Sequence, residues 1–231
     1  MLVDVVVAPY FETNCWIISA GPNSEAIVVD PGIGAIPTMP ERIKAVLAKH
    51  KLKPIATLLT HGHLDHTFSV KPLADGYGIP ALIHPQDRIL LTQPGRALTP
   101  GGESEKLMTA FGVTNFDEPI QVREVLDGEK MSLAGLDLVV RHAPGHTKGS
   151  IVIEVNSEIL IAGDVLFAGA IGRTDLPTGS PHAMIETLKQ KILPLEDAVI
   201  VLPGHGRQTT IGRERTSNPY LQDRFLNGKP R

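Results

Sequence analysis

Four residues able to ligate a metal, His61, His63, Asp65 and His66, fall within six consecutive positions at the end of the apolar run Ile55 to Thr60. Histidine is scarce, and HxHxDH directly after an apolar strand is improbable by chance, so THGHLDH constrains this chain more than any other segment. Imidazole and carboxylate donors suit zinc and also iron or manganese. Gly62 is expected to allow a tight turn from which alternate side chains converge. Three further candidates end later apolar runs, each after a glycine: His146 in HAPGHTKGS, Asp164 in ILIAGDVLF and His205 in VIVLPGHG. A lone histidine after a strand is more often a satisfied surface or core group, but three candidate ligands in the same relation to a strand argue for one shared rim.

Composition narrows the chemistry. The only cysteine, Cys15, permits no intrachain disulfide and no thiolate cluster, so a metal site must use histidines and carboxylates. Cys15 itself reads as a small apolar core residue. A net charge of −3 and a pI near 6.3, with Lys and Arg dispersed, argue against a phosphate-binding face, and no nucleic-acid partner is expected. The N-terminal apolar run is interrupted by Asp4 and follows no basic segment, so it reads as a first strand rather than a secretory signal. No apolar stretch approaches the ~20 residues that span a bilayer, and a soluble cytoplasmic protein without a membrane partner is expected. At 231 residues, 42% hydrophobic, the chain is expected to form a single domain over 1–231.

Apolar β-branched runs at Leu2 to Ala8, Cys15 to Ser19 and Ala26 to Val29 predict successive strands of a mostly antiparallel sheet. Pro40 opens a helix with Ile43, Val46 and Leu47 on one face, and strands Ile55 to Thr60 and Ala81 to His84 follow. Gln93 to Pro119, rich in Gly, Pro and Thr, reads as a long loop or lid over a cleft. Strands at Leu136 to His142, Ser150 to Val155 and Ile159 to Ala162, with Asn156 and Ser157 turning a hairpin, then a helix from Pro181 to Leu193 and a strand Ala198 to Leu202, complete the pattern. Strands then a helix, twice, predict an α/β (α+β) fold: an αββα sandwich of two mixed sheets with outer helices. The glycines of GDVLFAGAIGRT lack dinucleotide-loop spacing, no G-x-S-x-G appears, and His50, His84, His142 and His182 receive no role.

The segments THGHLDH, PGHTKGS, AGDVLF, LPGHG and VVDPG resemble the five motifs of the metallo-β-lactamase superfamily over nearly the whole chain. The resemblance implies that His61, His63 and His146 hold one metal, that Asp65, His66 and His205 hold a second, and that Asp164 bridges them. It implies two divalent ions, zinc first, with iron or manganese as alternatives. Asp30 in VVDPG would stand behind the ligands, orienting a histidine or the HxHxDH loop, or else simply form the turn before Pro31. Two such ions share a water, lower its pKa from ~15.7 toward ~7 and present hydroxide to an acyl carbonyl. Asp65 is a candidate proton relay besides being a ligand.

FETNCWI, GDVLFAGAIGRTDLP and ERTSNPYL further resemble the glyoxalase II branch and its small bacterial relatives, which implies hydrolysis of a thioester such as S-lactoylglutathione. Arg173 falls where that branch often carries a basic residue facing the thiol's carboxylate; a structural pair with Asp175 is the competing reading. The short tail 207–231 lacks the extra helical domain of longer glyoxalase II enzymes, and Gly206 stands where they often have tyrosine, so another low-molecular-weight thiol stays open as carrier. Two other activities stay open: a mono-iron persulfide dioxygenase, which shares the GRTD segment and the Asn-Pro tail, and a lactonase or other ester hydrolase.

Overall fold

The computed structural model of the protein describes residues 1–34, 38–99, 101, 102, 106, 109 and 115–228. Alternation along the strands builds two six-stranded mixed sheets, each in simple sequence order. The first contains β1 (Leu2–Val7), β2 (Asn14–Ser19), β3 (Glu25–Val29), β4 (Lys53–Leu58), β5 (Ala81–Ile83) and β6 (Val122–Glu124). It is antiparallel from β1 to β3 and parallel from β3 to β6. The second contains β7 (Lys130–Leu133), β8 (Leu136–His142), β9 (Ile151–Val155), β10 (Ile159–Gly163), β11 (Ile200–Pro203) and β12 (Thr209–Thr210), antiparallel except for the β10–β11 pair.

The faces of the strands sort into layers. Trp16, Ile18, Ile27, Val29 and Leu58 of the first sheet meet Leu138, Val140, Ile153, Val155 and Ile161 of the second in the central core. The opposite face of the first sheet, Ile17, Ala26 and Val28, packs on α1 (Met39–His50) through Ile43 and Leu47. The outer face of the second, Val152, Leu160 and Val201, packs on Met184, Ile185 and Leu188 of the helical stretch that begins at Pro181. Each such aliphatic side chain contributes about 1.5–3 kcal/mol on full burial, and the result is the αββα sandwich. No described helix is long and apolar enough to cross a membrane.

Several element boundaries differ from expectation. The helix opened by Pro40 starts at Met39 because Thr38 forms a capping box with Glu41: Thr38 Oγ1 accepts from the Glu41 amide at 3.4 Å, and Glu41 accepts from the Thr38 amide at 2.6 Å. The strand expected over Ile55 to Thr60 spans Lys53–Leu58, so Leu59 and Thr60 lead out of the sheet toward the histidines. The helix expected to Leu193 is regular over Pro181–Thr187 and continues as a widened turn, Leu188–Ile192. Asn156 and Ser157 both have positive φ, as a two-residue hairpin turn requires. The lid reading of Gln93 to Pro119 falls partly outside the described residues; within it Pro94–Ala97 form a single tight turn.

Candidate metal centre

Topology brings every candidate ligand to one rim. His61 to His66 follow β4 and run into the short helix α2 (Leu64–Thr67), His146 lies between β8 and β9, Asp164 directly follows β10, and His205 follows β11. The sheets are joined there, since the Ile151 amide donates to the Thr60 carbonyl at 2.8 Å and the Asn14 amide to the Gly204 carbonyl at 2.7 Å. Gly204 leaves room for the ligands: a Cβ on it would stand 2.1 Å from Asp164 Oδ1.

Three overlapping groups result, His61/His63/His146, His61/His66/Asp164 and Asp65/His66/His205, with the ligand atoms of each within 4.8 Å of one another. Asp164 stands between the two halves, with Oδ1 3.4 Å from His66 Nε2 and Oδ2 3.4 Å from His146 Nε2. Asp65 Oδ2 lies 3.5 Å from His66 Nε2 and 3.4 Å from His205 Nε2.

The outward bonds of the imidazoles define which nitrogens face the centre. His146 Nδ1 donates to the Arg173 carbonyl at 2.7 Å, His205 Nδ1 to the Phe11 carbonyl at 2.9 Å, and His66 Nδ1 to Asp30 at 3.0 Å. Thr60 Oγ1 donates to Asp30 at 2.6 Å, which leaves it to accept from His61 Nδ1 at 3.1 Å. With Nδ1 protonated on all four rings, the Nε2 lone pairs turn inward, an assignment that follows from the bonding network. His63 Nδ1 then faces His61 Nε2 at 3.1 Å and His146 Nε2 at 2.7 Å, and one proton can serve only one of those contacts. Asp164 Oδ1 and His63 Nε2 are buried with no hydrogen-bond partner. Converging nitrogen lone pairs and an orphaned carboxylate oxygen are the donor set a divalent cation satisfies, so these residues fit two metal ions.

The electrostatics split the histidines: two are kept neutral, and two hold a second proton that a bound cation would displace. Burial, reinforced by neighbouring histidines, drives His61 down and His63 to about 3, which keeps both neutral and able to ligate. Burial opposes the charged forms of the other groups, yet His66 beside Asp65, together with a hydrogen bond from His205, brings Asp65 to about 2, and His66 and His205 hold Asp164 well below the usual carboxylate range. In return Asp164, Asp65 and Asp30 raise His66, and hydrogen bonds to Asp164 and Asp65 raise His205 to about 9, in each case against burial. Three buried or half-buried carboxylates thus gather positive charge at one point.

Asp30 is placed behind the ligands, accepting from the Thr60 amide at 2.8 Å as well as from Thr60 Oγ1 and His66. Arg173 is exposed and paired with Asp175 through two bonds of 2.8 Å; its carbonyl, rather than its guanidinium, touches the ligand set. Cys15 is fully buried, and burial raises its thiol.

Three supporting residues lie in FETNCWI, a segment whose resemblance gave them no individual role. Asn14 Nδ2 donates to the Pro203 carbonyl at 3.0 Å and the Gly206 carbonyl at 2.8 Å, Trp16 Nε1 donates to the Pro203 carbonyl at 2.9 Å, and Thr13 Oγ1 donates to Asp65 at 3.3 Å. The FETNCWI segment therefore cradles the loop that carries His205. Beyond His146, a cavity of about 860 Å³ is walled by Ile171, Arg173, Ile185, Tyr220, Arg224 and Phe225. Its wall includes Gly172, where a Cβ would lie 3.0 Å from His146 Nδ1, so the cavity abuts the ligands.

Comparison with known proteins gives matches over the same span. A family model described as the metallo-beta-lactamase superfamily matches residues 8–205. A hydroxyacylglutathione hydrolase of Haemophilus influenzae, GloC, is 35% identical over 97% of this chain and 100% of its own. Among solved structures, the BLEG-1 B3 metallo-beta-lactamase superposes with a TM-score of 0.78 at 30% identity, covering 96% of this chain and 100% of that one. TTHA1623 in a di-iron-bound form superposes with a TM-score of 0.76 at 32% identity, covering 95% of this chain and 100% of that one.

Proposed function

The chain belongs to the metallo-beta-lactamase superfamily, and from that premise we propose that it is a binuclear metallo-hydrolase that cleaves the thioester of a small acyl-thiol such as S-lactoylglutathione. The observation that carries the reading is the pair of histidine clusters spanned by Asp164 beside an open cavity. His61, His63 and His146 would hold one ion, Asp65, His66 and His205 the other, and Asp164 both. The di-iron relative makes iron a candidate beside zinc and manganese.

A divalent pair bound here would acidify water and stabilise negative charge developing on a carbonyl oxygen. The protein supplies the arrangement around it. Asp65, held ionised and one-fifth exposed, is the carboxylate best placed to take a proton from an incoming water. In hydrolysis the carbonyl carbon gains a C–O bond and loses its C–S bond, giving a carboxylic acid and a thiol. A thiolate leaves readily, so the site needs no strong general acid. The cavity offers Ile171, Ile185 and the edge-to-face pair Tyr220–Phe225 to the substrate's apolar parts, with Arg173 and Arg224 at hand for a carboxylate on the carrier.

The test is thiol release from S-lactoylglutathione and from a panel of other acyl-thiols, with oxygen uptake on glutathione persulfide measured on the same preparation. Thiol release that a chelator abolishes, with no oxygen uptake, is expected. Oxygen consumption without thioester turnover would replace the hydrolase by a persulfide dioxygenase, and turnover on lactones or simple esters alone would replace the substrate class.

A further inference from the structure

A single carboxylate outside the ligand set ties together the two loops that form the first histidine cluster. Asp87 lies in α3 (Pro85–Arg88), the short helix that follows β5, and is fully buried. Its Oδ2 accepts from the Gly62 amide at 2.8 Å and from Thr147 Oγ1 at 2.6 Å, and its Oδ1 accepts from the Gly149 amide at 2.7 Å. Gly62 is the residue between His61 and His63, while Thr147 and Gly149 directly follow His146. One side chain thus spans the joint between all three residues of that cluster.

The packing around Asp87 explains the two glycines. Neither Gly62 nor Gly149 has a positive φ, so the tight-turn freedom expected of Gly62 is not what the structure uses. A Cβ on Gly62 would stand 2.7 Å from Leu90 Cδ1 and 2.9 Å from the Asp87 carbonyl oxygen, and one on Gly149 would stand 2.6 Å from both the Asp87 amide nitrogen and its Cγ. Glycine at these positions lets two loops close on the same carboxylate. Thr147 is fixed in turn by Ser150, 2.7 Å away between hydroxyls. Asp30, another buried carboxylate outside the ligand set, bonds His66 and Thr60 instead.

We propose that Asp87 is a positioning residue that sets the separation of the His61–His63 loop from the His146 loop, and so the affinity of the first metal position. The proposal rests on the binuclear reading above. An isolated buried carboxylate accepting two backbone amides and a hydroxyl has no apolar substitute there, since removing it leaves three buried donors unpaired. Asparagine keeps the shape but presents an amide to donors, so it breaks the joint without emptying the site.

The experiment is titration of the metal-free protein with Co²⁺ alone, followed by its visible absorption, on wild type, Asp87→Asn and Thr147→Val. Wild type is expected to bind two equivalents. Asp87→Asn is expected to weaken one equivalent about 10–100-fold, the range for partners that orient metal ligands, with altered bands for that equivalent and an unchanged second. Thr147→Val, which removes one of the three bonds, should shift the same equivalent in the same direction by less. Equal weakening of both equivalents in Asp87→Asn would mark Asp87 as general scaffold and overturn the proposal, as would wild-type binding in both variants. Should Asp87→Asn fail to fold, unchanged binding by Thr147→Val overturns it. Wild type that binds fewer than two equivalents would refute the binuclear reading itself, and the proposal with it.

Discussion

His84 and His142 stack face to face, with ring centroids 4.1 Å apart and planes within 7°, at the ends of β5 and β8. Burial, together with the neighbouring His142, pushes His84 down to about 4, against ~6.5 in an unfolded chain. The unfolded state therefore takes up a proton before the folded one does, and the stability associated with this group is lost as pH falls from ~6.5 toward ~4. Replacing His84 with glutamine is expected to flatten the fall in melting temperature between pH 7 and pH 5 relative to wild type; parallel curves would contradict this. At this scale the candidate ligands that the structure gathers were legible because histidine clusters are rare. Asp87 was not, because it is a lone polar residue whose partners lie far along the chain, and nothing local separates a buried joint from an ordinary turn residue; Thr13 and Asn14 stood inside FETNCWI, but the resemblance of that segment gave them no role.

Elements show the same division. The strands that fill the central core read directly from β-branched runs, and the positive-φ pair Asn156–Ser157 from its turn chemistry. The strands β6, β7 and β12 left no signal: they are two to four residues long and largely polar or half-exposed, and all three lie at sheet edges, where pairing rather than burial holds them. The capping box at Thr38 was written in the sequence as Thr-x-x-Glu, but Pro40 drew the helix start to itself. The most consequential junction is β2 against the end of β11, where Asn14 satisfies two carbonyls of the His205 loop. Asn14→Ala removes both of these bonds, leaving the Pro203 carbonyl to Trp16 and the Gly206 carbonyl to solvent, and is expected to cost about 1–3 kcal/mol, read from denaturant unfolding, and to weaken metal binding on the side of Asp65, His66 and His205. Unchanged stability and metal binding would show that the clamp is incidental.

At the scale of the whole molecule, the parallel strands β4, β10 and β11 deliver their ends to one edge of the sandwich, and the two sheets are tied there by backbone bonds. Ligands separated by up to 144 positions converge because the sheets stack, so motif order in the sequence carried the site while the layers carried its closure. The catalytic reading depends on that closure holding two ions at once. The most direct test is elemental analysis of the purified wild-type protein and of Asp164→Ala. About two ions of zinc, iron or manganese per wild-type chain, falling to one or fewer when the bridging carboxylate is removed, is the predicted result. A wild type that holds one ion or none, or an Asp164→Ala protein that keeps both, would contradict it.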